Sequence, residues 1–348
     1  MKQPGIKKFV LLTLLALLPV ALYVALYVVL DPFGVVHRYN GISIAPGDTL
    51  EHIPNKRYVA VEGYKFYDST YHYDSFIFGS SISSNFTAAA WKKHLPANAS
   101  VYHFSAGAET LTGIRDELKY LIDHGANVRH ALLIMEEEMF SRPKRYQEMP
   151  FVPHYDVSPE ISRLHFHLMH FNAMRDPYML LYHLWPTQSL VDRLLEDGKM
   201  AKIPSGRDEV INEDSSLGLD SVIINNPDKF YGELQWLVHM KPMPNAMPLS
   251  IGDEALHTLQ EITALLQDNH IEYVVIVPPR FRREAMSPID HAVLCDVMGE
   301  DHVNDFTGDS TLVHDLYTYY DGAHILTYRC DQLIDRSYNR NTTPSSNK

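Results

Sequence analysis

Phe76-Ile77-Phe78-Gly79-Ser80-Ser81-Ile82-Ser83-Ser84-Asn85 is the stretch on which the reading of this chain turns. Asp74 to Phe78 is a short apolar run stopped by Gly79, the pattern of a buried strand. Hydroxyl residues follow, and then a helix-like stretch through Trp91 and Leu95. A serine at such a strand-to-helix turn faces the positive end of the helix, where backbone N–H groups can hold a developing oxyanion. That hydroxyl still needs a base. Near the C-terminus, Tyr319-Tyr320-Asp321-Gly322-Ala323-His324 supplies an aspartate and a histidine three residues apart. His324 can take the proton of Ser81, while Asp321 orients the imidazole and stabilises its charged form, the division of labour of a Ser-His-Asp triad. Serines also serve as helix caps, and Asp-Gly is a common turn signal, so each segment alone has a purely structural reading. Order supports the catalytic one: strand-Gly-Ser-Ser, a second strand ending in Gly107, and Asp-x-x-His before the last helix. A one-residue shift on the first turn would present Ser80 instead of Ser81, and the pattern leaves that choice open.

Working outward, Asp74–Phe78, Ser100–Phe104, Arg129–Met135, Glu272–Val277 and His302–Phe306 are apolar or β-rich. Between several of them lie stretches of helical spacing. Glu109 to His124 places Leu111, Ile114, Leu118, Leu121 and Ile122 on one face. Ser250-Ile251-Gly252-Asp253 resembles a capping box opening a helix through Leu266. Near-continuous apolar strands separated by helices predict an α/β fold with a mostly parallel sheet covered on both faces, a three-layer α/β/α arrangement. In such sheets ligands bind beyond the carboxyl ends of the strands, where Ser81, Gly107 and Glu136 all fall.

These motifs resemble the SGNH/GDSL hydrolase superfamily, in which Gly-Asp-Ser opens the domain and Asp-x-x-His closes it. Gly79-Ser80-Ser81 stands in place of Gly-Asp-Ser, a variant similar to membrane-anchored members such as the D-alanine transfer protein and the alginate O-acetylation proteins. The resemblance covers roughly residues 70–135 and 270–338. It implies Ser81 as nucleophile, Asp321 and His324 as its partners, and an SGNH/flavodoxin-like fold. Tyr102-His103-Phe104-Ser105-Ala106-Gly107 resembles the family's second block, which implies that Gly107 and Ser81 donate backbone N–H groups to an oxyanion hole. The third block departs: where the family has Gly-x-Asn-Asp, this chain has Met135-Glu136-Glu137-Glu138 after the strand, with no asparagine donor. The implied activity is O-acyl transfer or acyl-ester hydrolysis on a cell-envelope glycan or exopolysaccharide. No diffusible cofactor is implied, and a multi-pass membrane acyltransferase is the implied partner. The missing asparagine and the Gly-Ser-Ser variant also suit a different class, a catalytically degenerate glycan-binding or assembly subunit.

Residues 140–249 interrupt the alternation of strands and helices. They read as an insertion at the active-site edge, with helices at Pro159–Met174 and Pro186–Lys199 and a polar loop over Ile203–Asp228. Its histidines, His165, His167 and His170, have a spacing that does not place all three on one helical face, so no metal site is expected. Pro278-Pro279-Arg280-Phe281-Arg282-Arg283 follows the fourth strand, and Arg280 and Arg282 are candidates for binding an anionic polymer. Tyr320 is a candidate for stacking on a sugar ring.

Phe9 to Leu30 is an uncharged run long enough to span a hydrocarbon core of about 30 Å. Lys2, Lys7 and Lys8 precede it, so the positive-inside rule keeps the N-terminus in the cytoplasm and exports the rest. The run is longer than the apolar core of a cleaved signal peptide, of about 7–15 residues, which favours an uncleaved anchor in a bacterial inner membrane with a periplasmic domain. Of the 30 basic and 43 acidic residues, three basic and no acidic ones lie in residues 1–30, leaving the exported part a formal −16. Such a surface argues against nucleic acid and against peripheral docking on anionic lipid. The expected organisation is an anchor at 1–30, an irregular extracytoplasmic connector at 31–72, the main domain at 73–338 with its insertion, and a disordered tail at 339–348. Cys295 and Cys330 suit either one disulfide or two buried thiols.

Overall fold

A computed structural model describes residues 4–31, 33–37, 55–144, 152–175, 206–215, 217–242, 251–283 and 285–339. Five strands form one sheet: β1 Ser75–Gly79, β2 Val101–Ser105, β3 His130–Ile134, β6 Glu272–Val277 and β7 Val303–Asp305. Between β3 and β6 in sequence, β4 Gly206–Asp208 and β5 Glu213–Ser215 make a separate antiparallel hairpin. The large sheet is parallel throughout, in the order β2-β1-β3-β6-β7. Register brings Gly79 level with Ser105 on one side and Ile134 on the other, so three strand ends meet at the serine turn.

All five strands of the sequence reading are present, and the reason is visible in their burial. Alternate residues feed two apolar cores. Phe76, Phe78, Tyr102, Phe104, Leu133 and Val275 belong to one, with side chains from helices α2 Lys56–Tyr71, α3 Leu111–Asp123 and α6 Asp253–Asp268. Ile77, Leu132, Ile134 and Ile276 belong to the other, with Trp91 and with Leu333 and Ile334 of the last helix, α8 Thr327–Asn339. Each large apolar side chain so buried contributes about 1.5–3 kcal/mol. A strand wetted on one face would have read as an alternating pattern, which these runs do not show.

Helix α3 starts where Thr110 Oγ1 accepts from Gly113 N, and its buried Leu111, Ile114, Leu118 and Leu121 follow the spacing read from sequence. Two helices complete the frame: α5 Arg163–Ala173, capped by Ser162, and α7 Pro288–Met298, capped by Ser287 with Pro288 in its first turn. Between β3 and α5, α4 Glu137–Ser141 is a single short helix at the end of β3.

Several expectations are corrected. The connector is not irregular throughout: Asn55 Oδ1 accepts from Tyr58 N and opens α2, whose Ala60, Val61 and Tyr64 join the core, and His72 ends it in the left-handed region at φ 49°. Of the aromatics in that segment, Tyr64 packs on Phe76, Tyr102 and Phe104 of the sheet. The polar stretch 203–228 contains the β4–β5 hairpin and the helix Leu217–Asn225 where it is described. Helix α6 is opened by Gly252 without a side-chain cap, while Asp290 Oδ1 accepts from Ile251 N; Ser250 of the expected capping box lies outside the described residues. The expected helix at 186–199 and the tail beyond Asn339 lie outside the described residues. No disulfide joins the cysteines: Cys330 is buried in one core and Cys295 packs against the other.

At the N-terminus, α1 Pro4–Leu30 includes a segment, Gly5–Val29, long and apolar enough to cross a membrane, and its leucines are exposed. Its end is tied to the domain. Asp31 accepts from the backbone N–H groups of Val35, Val36 and His37, turning the chain back, and Tyr27, Phe33 and Val35 bury themselves against Tyr58, Ile161 and Phe166.

Candidate active site

The serine turn is built from the end of β1. Gly79 is required there: a Cβ would sit 2.6 Å from Ser83 Cβ and 3.0 Å from the carbonyl oxygen of Ile134. Ser80 caps the tight turn Ser81–Asn85, its Oγ accepting from Ile82 N at 3.2 Å. Ser83 donates twice to the Ser80 carbonyl, from N at 2.9 Å and from Oγ at 2.7 Å. Since that hydroxyl proton is committed, His103 Nε2 must donate to Ser83 Oγ, which lies 3.0 Å away. His103 is fully buried in β2, and burial pushes its pKa down to about 3, so it is a neutral strut. Ala106 N donates to Gly79 O at 3.3 Å, fastening the loop after β2 to the same turn.

The histidine arrives on a second, equally constrained loop. Tyr319 and Ile325 form an antiparallel bridge, and Tyr320 N donates to His324 O at 3.2 Å. Inside that hairpin, Asp321 Oδ1 accepts from Ala323 N and His324 N, each at 2.7 Å, and Oδ2 lies 2.7 Å from His324 Nδ1. The Tyr320 ring stacks on the imidazole with centroids 5.4 Å apart. Asn85, at the end of the serine turn, donates to Ile325 O at 2.7 Å and to Tyr320 Oη at 3.2 Å, clamping the two loops together. The outcome is a continuous relay, with His324 Nε2 3.0 Å from Ser81 Oγ. Burial pushes the Asp321 carboxyl up, but the hydrogen bonds from His324 and Ala323 outweigh it and hold the group below the usual carboxylate range. An ionised Asp321 fixes the proton on Nδ1 and leaves Nε2 as the acceptor facing Ser81.

Ser80 has a different partner. Its hydroxyl donates to Glu136 Oε1, so of the two serines only Ser81 is presented to the histidine. Both border a cleft of about 270 Å³ at the carboxyl ends of β1, β2 and β3, also lined by Ala108, Glu136, Glu138, Arg142 and Arg280. This is where the strand order reverses about β1 and β3, the position at which parallel sheets open a crevice. Burial pushes the Glu136 pKa up, more than the Ser80 hydroxyl and the Arg280 guanidinium pull it down. Ala108 adopts a left-handed φ of 50°. Its carbonyl accepts from Arg57 Nη2 at 2.8 Å, and Arg57 Nε pairs with Glu109 at 2.8 Å in a wholly buried ion pair. That pair holds the loop carrying Gly107 and Ala108 against the cleft.

No family model matches the chain, and no curated protein matches it significantly. The reading of the site therefore stands on its own geometry.

Ser81, Asp321 and His324 come together, whereas the proposed substrate residues divide. Arg280 lines the cleft, but its guanidinium is paired with Glu138, the partner that also draws in Arg283 at 3.3 Å. Arg282 is not among the residues lining the cleft: it adopts φ 52° and donates to the carbonyl of Met240. Tyr320 stands behind the imidazole, as a positioning residue with no face on the cleft. Gly107 lies in the loop beside Ala108 without itself lining the cleft. Among the histidines of α5, His170 is buried against Asn55 and the Phe166 carbonyl, His167 meets Tyr27, and His165 is exposed, so they do not converge. Glu62, His154 and Asp156 do converge, but Lys65 Nζ sits among them, 2.6 Å from Glu62 and 2.9 Å from Asp156, and supplies the positive charge.

The sequence reading placed Glu136 at the strand ends and quoted Asn85 and His103 in its motifs, but the supporting roles of these three residues and of Arg57 escaped it. The Asn at the end of the hydroxyl run and the alternation that turns His103 into the second core were signals for two of them. Nothing in the sequence indicated that Arg57 would reach a loop fifty residues away.

Proposed function

We propose that the chain is a single-pass membrane protein whose exported domain, a three-layer α/β/α unit resembling the SGNH/GDSL hydrolases, transfers or hydrolyses O-acyl groups on a cell-envelope glycan or exopolysaccharide. The observation that carries this reading is the relay Asp321–His324–Ser81, with both hydrogen bonds formed and the serine facing a cleft. Two cores fed by opposite sides of one parallel sheet support the layered arrangement. The lysines before α1 support an N-terminus in the cytoplasm and a periplasmic domain.

In the first half-reaction Ser81 Oγ attacks the acyl carbonyl carbon as its proton passes to His324 Nε2. Asp321 stabilises the imidazolium, and the backbone N–H of Ser81, which lines the cleft, receives the negative oxygen. The tetrahedral intermediate expels the leaving alcohol, which takes the proton from His324, and an ester on Ser81 remains. In the second half-reaction a sugar hydroxyl, or water, gives its proton to His324 and attacks that ester; collapse returns the proton to Ser81. A multi-pass membrane acyltransferase that delivers acyl groups across the bilayer is the fitting partner.

The test is to mix the detergent-solubilised protein with p-nitrophenyl acetate, quench, and map the acetyl group by peptide mass. Acetyl on Ser81, chased faster by an added oligosaccharide than by water, supports transfer; the absence of an acyl-enzyme together with the absence of p-nitrophenol release refutes the catalytic reading.

One observation favours a second reading, a glycan-binding subunit without turnover. Glu136 borders the cleft on the segment that replaces the resembled family's third block, and its carboxyl, if ionised, would oppose an oxyanion where an asparagine amide would donate. Oligosaccharide binding that survives Ser81→Ala, in a protein that forms no acyl-enzyme, would establish it.

A further inference from the structure

Helix α5 carries its apolar residues on two sides. Phe166 and His170 face inward, against Tyr58 and Asn55. On the other side Leu164 is 71% exposed and Leu168 is 52% exposed, and both align with Phe171 at helical spacing i, i+4, i+7. Phe171 touches the anchor: its ring lies 4.9 Å from Tyr23 and 5.7 Å from Tyr27, while Tyr27 Oη lies 3.2 Å from His167 Nδ1. The exposed leucines are therefore on the stripe of α5 that meets the last turns of α1. Tyrosines at the end of a spanning helix mark the level of the lipid headgroups.

Charge points the same way. The protein is acidic, yet Ile161 to Arg175 contains no aspartate or glutamate, and it has three histidines and two arginines. Arg163 and Arg175, at the two ends of the helix, are exposed. The overall negative charge disfavours docking on anionic lipid, but α5 itself carries none of it, and the carboxylate that acts on its His167 is that of Asp31.

We infer that α5 lies in the membrane interface beside the anchor, with Leu164, Leu168 and Phe171 in the acyl–headgroup boundary and the flanking arginines at lipid phosphates. Its occupant is the bilayer itself. The domain is then seated on the membrane in a fixed orientation by two contacts, α1 and α5, instead of swinging on a tether. This rests on the reading of α1 as a membrane span.

The experiment uses the full chain in nanodiscs containing anionic phospholipid, in a Cys295→Ser background; Cys330 is fully buried and stays unlabelled. Nitroxide labels are placed singly at Leu168→Cys, at Leu15→Cys within the span, and at Ile289→Cys on an exposed site away from α5. Collision with oxygen and with a water-soluble nickel chelate reports depth. The expected result is lipid-type relaxation at 15 and 168 and water-type relaxation at 289. Lipid-type relaxation at 15 with water-type relaxation at 168 overturns the inference while the span stands. Water-type relaxation at 15 overturns both. A label at 168 shielded from both relaxants would mean that a protein covers this face, and would also overturn it.

Discussion

Replacing Asp321 by asparagine is the substitution whose effect the structure specifies most closely. One oxygen of Asp321 accepts from two backbone N–H groups of its own loop, and those bonds dictate which end of an asparagine side chain occupies that place. The amide oxygen must stay there, so the NH2 group is delivered to His324 Nδ1, where the carboxylate oxygen now sits at 2.7 Å. Nδ1 must then accept, which moves the imidazole proton to Nε2, and Nε2 donates to Ser81 Oγ where it should receive. The serine loses its base while every loop contact is kept. General-base catalysis is worth about 10²–10⁴-fold, or ~3–5 kcal/mol in activation free energy. The assay is the second-order rate of serine labelling by a fluorophosphonate, followed by quench and intact mass. Labelling slower than wild type by about 10²–10⁴-fold, with an unfolding midpoint nearly unchanged, is the expected pair of results. Labelling at the wild-type rate would refute the reasoning, because Asp321 would then have no part in setting the tautomer.

Three further substitutions separate the supporting roles of polar groups in the domain. Ser80→Ala removes the cap on Ile82 N and the contact to Glu136, at a cost of about 1 kcal/mol in denaturant unfolding, but Ser81 should still be labelled within about tenfold of the wild-type rate. Arg57→Met strands the buried Glu109 carboxylate and should destabilise the protein by ~3–5 kcal/mol, most of it recovered in Arg57→Met/Glu109→Gln; equal stability of the single and double variants would count against the loop clamp. Burial in the β4–β5 hairpin pushes Glu213 from 4.5 up to about 7. Its folded form binds a proton that the unfolded chain releases, so this group's contribution is present below about pH 4.5 and lost as pH rises through about 7. With its side chain only 14% exposed, that loss is about 3 kcal/mol. Glu213→Gln should therefore flatten the fall in stability between those pH values, and an unchanged slope would reassign the effect.

The parallel sheet was legible because its strands are buried on both faces and read as unbroken apolar runs; Phe76-Ile77-Phe78 and Leu132-Leu133-Ile134 have no surface periodicity to mislead. What escaped was structure set by distant partners. Helix α2 has Lys56, Arg57 and a scatter of tyrosines where an amphipathic stripe would be expected, and it is Glu109 and the Tyr102 ring, far along the chain, that give those residues a buried side. The β4–β5 hairpin is likewise polar in sequence because its buried Arg207 is paired with Asp214. At the site, order along the chain was enough to bring up Ser81, Asp321 and His324, whereas the choice between Ser80 and Ser81 depends on a single rotation of the turn that Glu136 and His324 decide between them. Arg282 and Tyr320 were read from proximity in sequence, and proximity does not say which way a side chain leaves a loop.

The central claim is that Ser81 is an activated nucleophile. Fluorophosphonate treatment of the full-length protein in detergent, with intact and peptide mass spectrometry on wild type, Ser81→Ala and His324→Ala, measures that directly. The account predicts one adduct per chain, located on Ser81 and lost in both variants; a folded wild-type protein that takes no label, or takes it on Ser80, would contradict it.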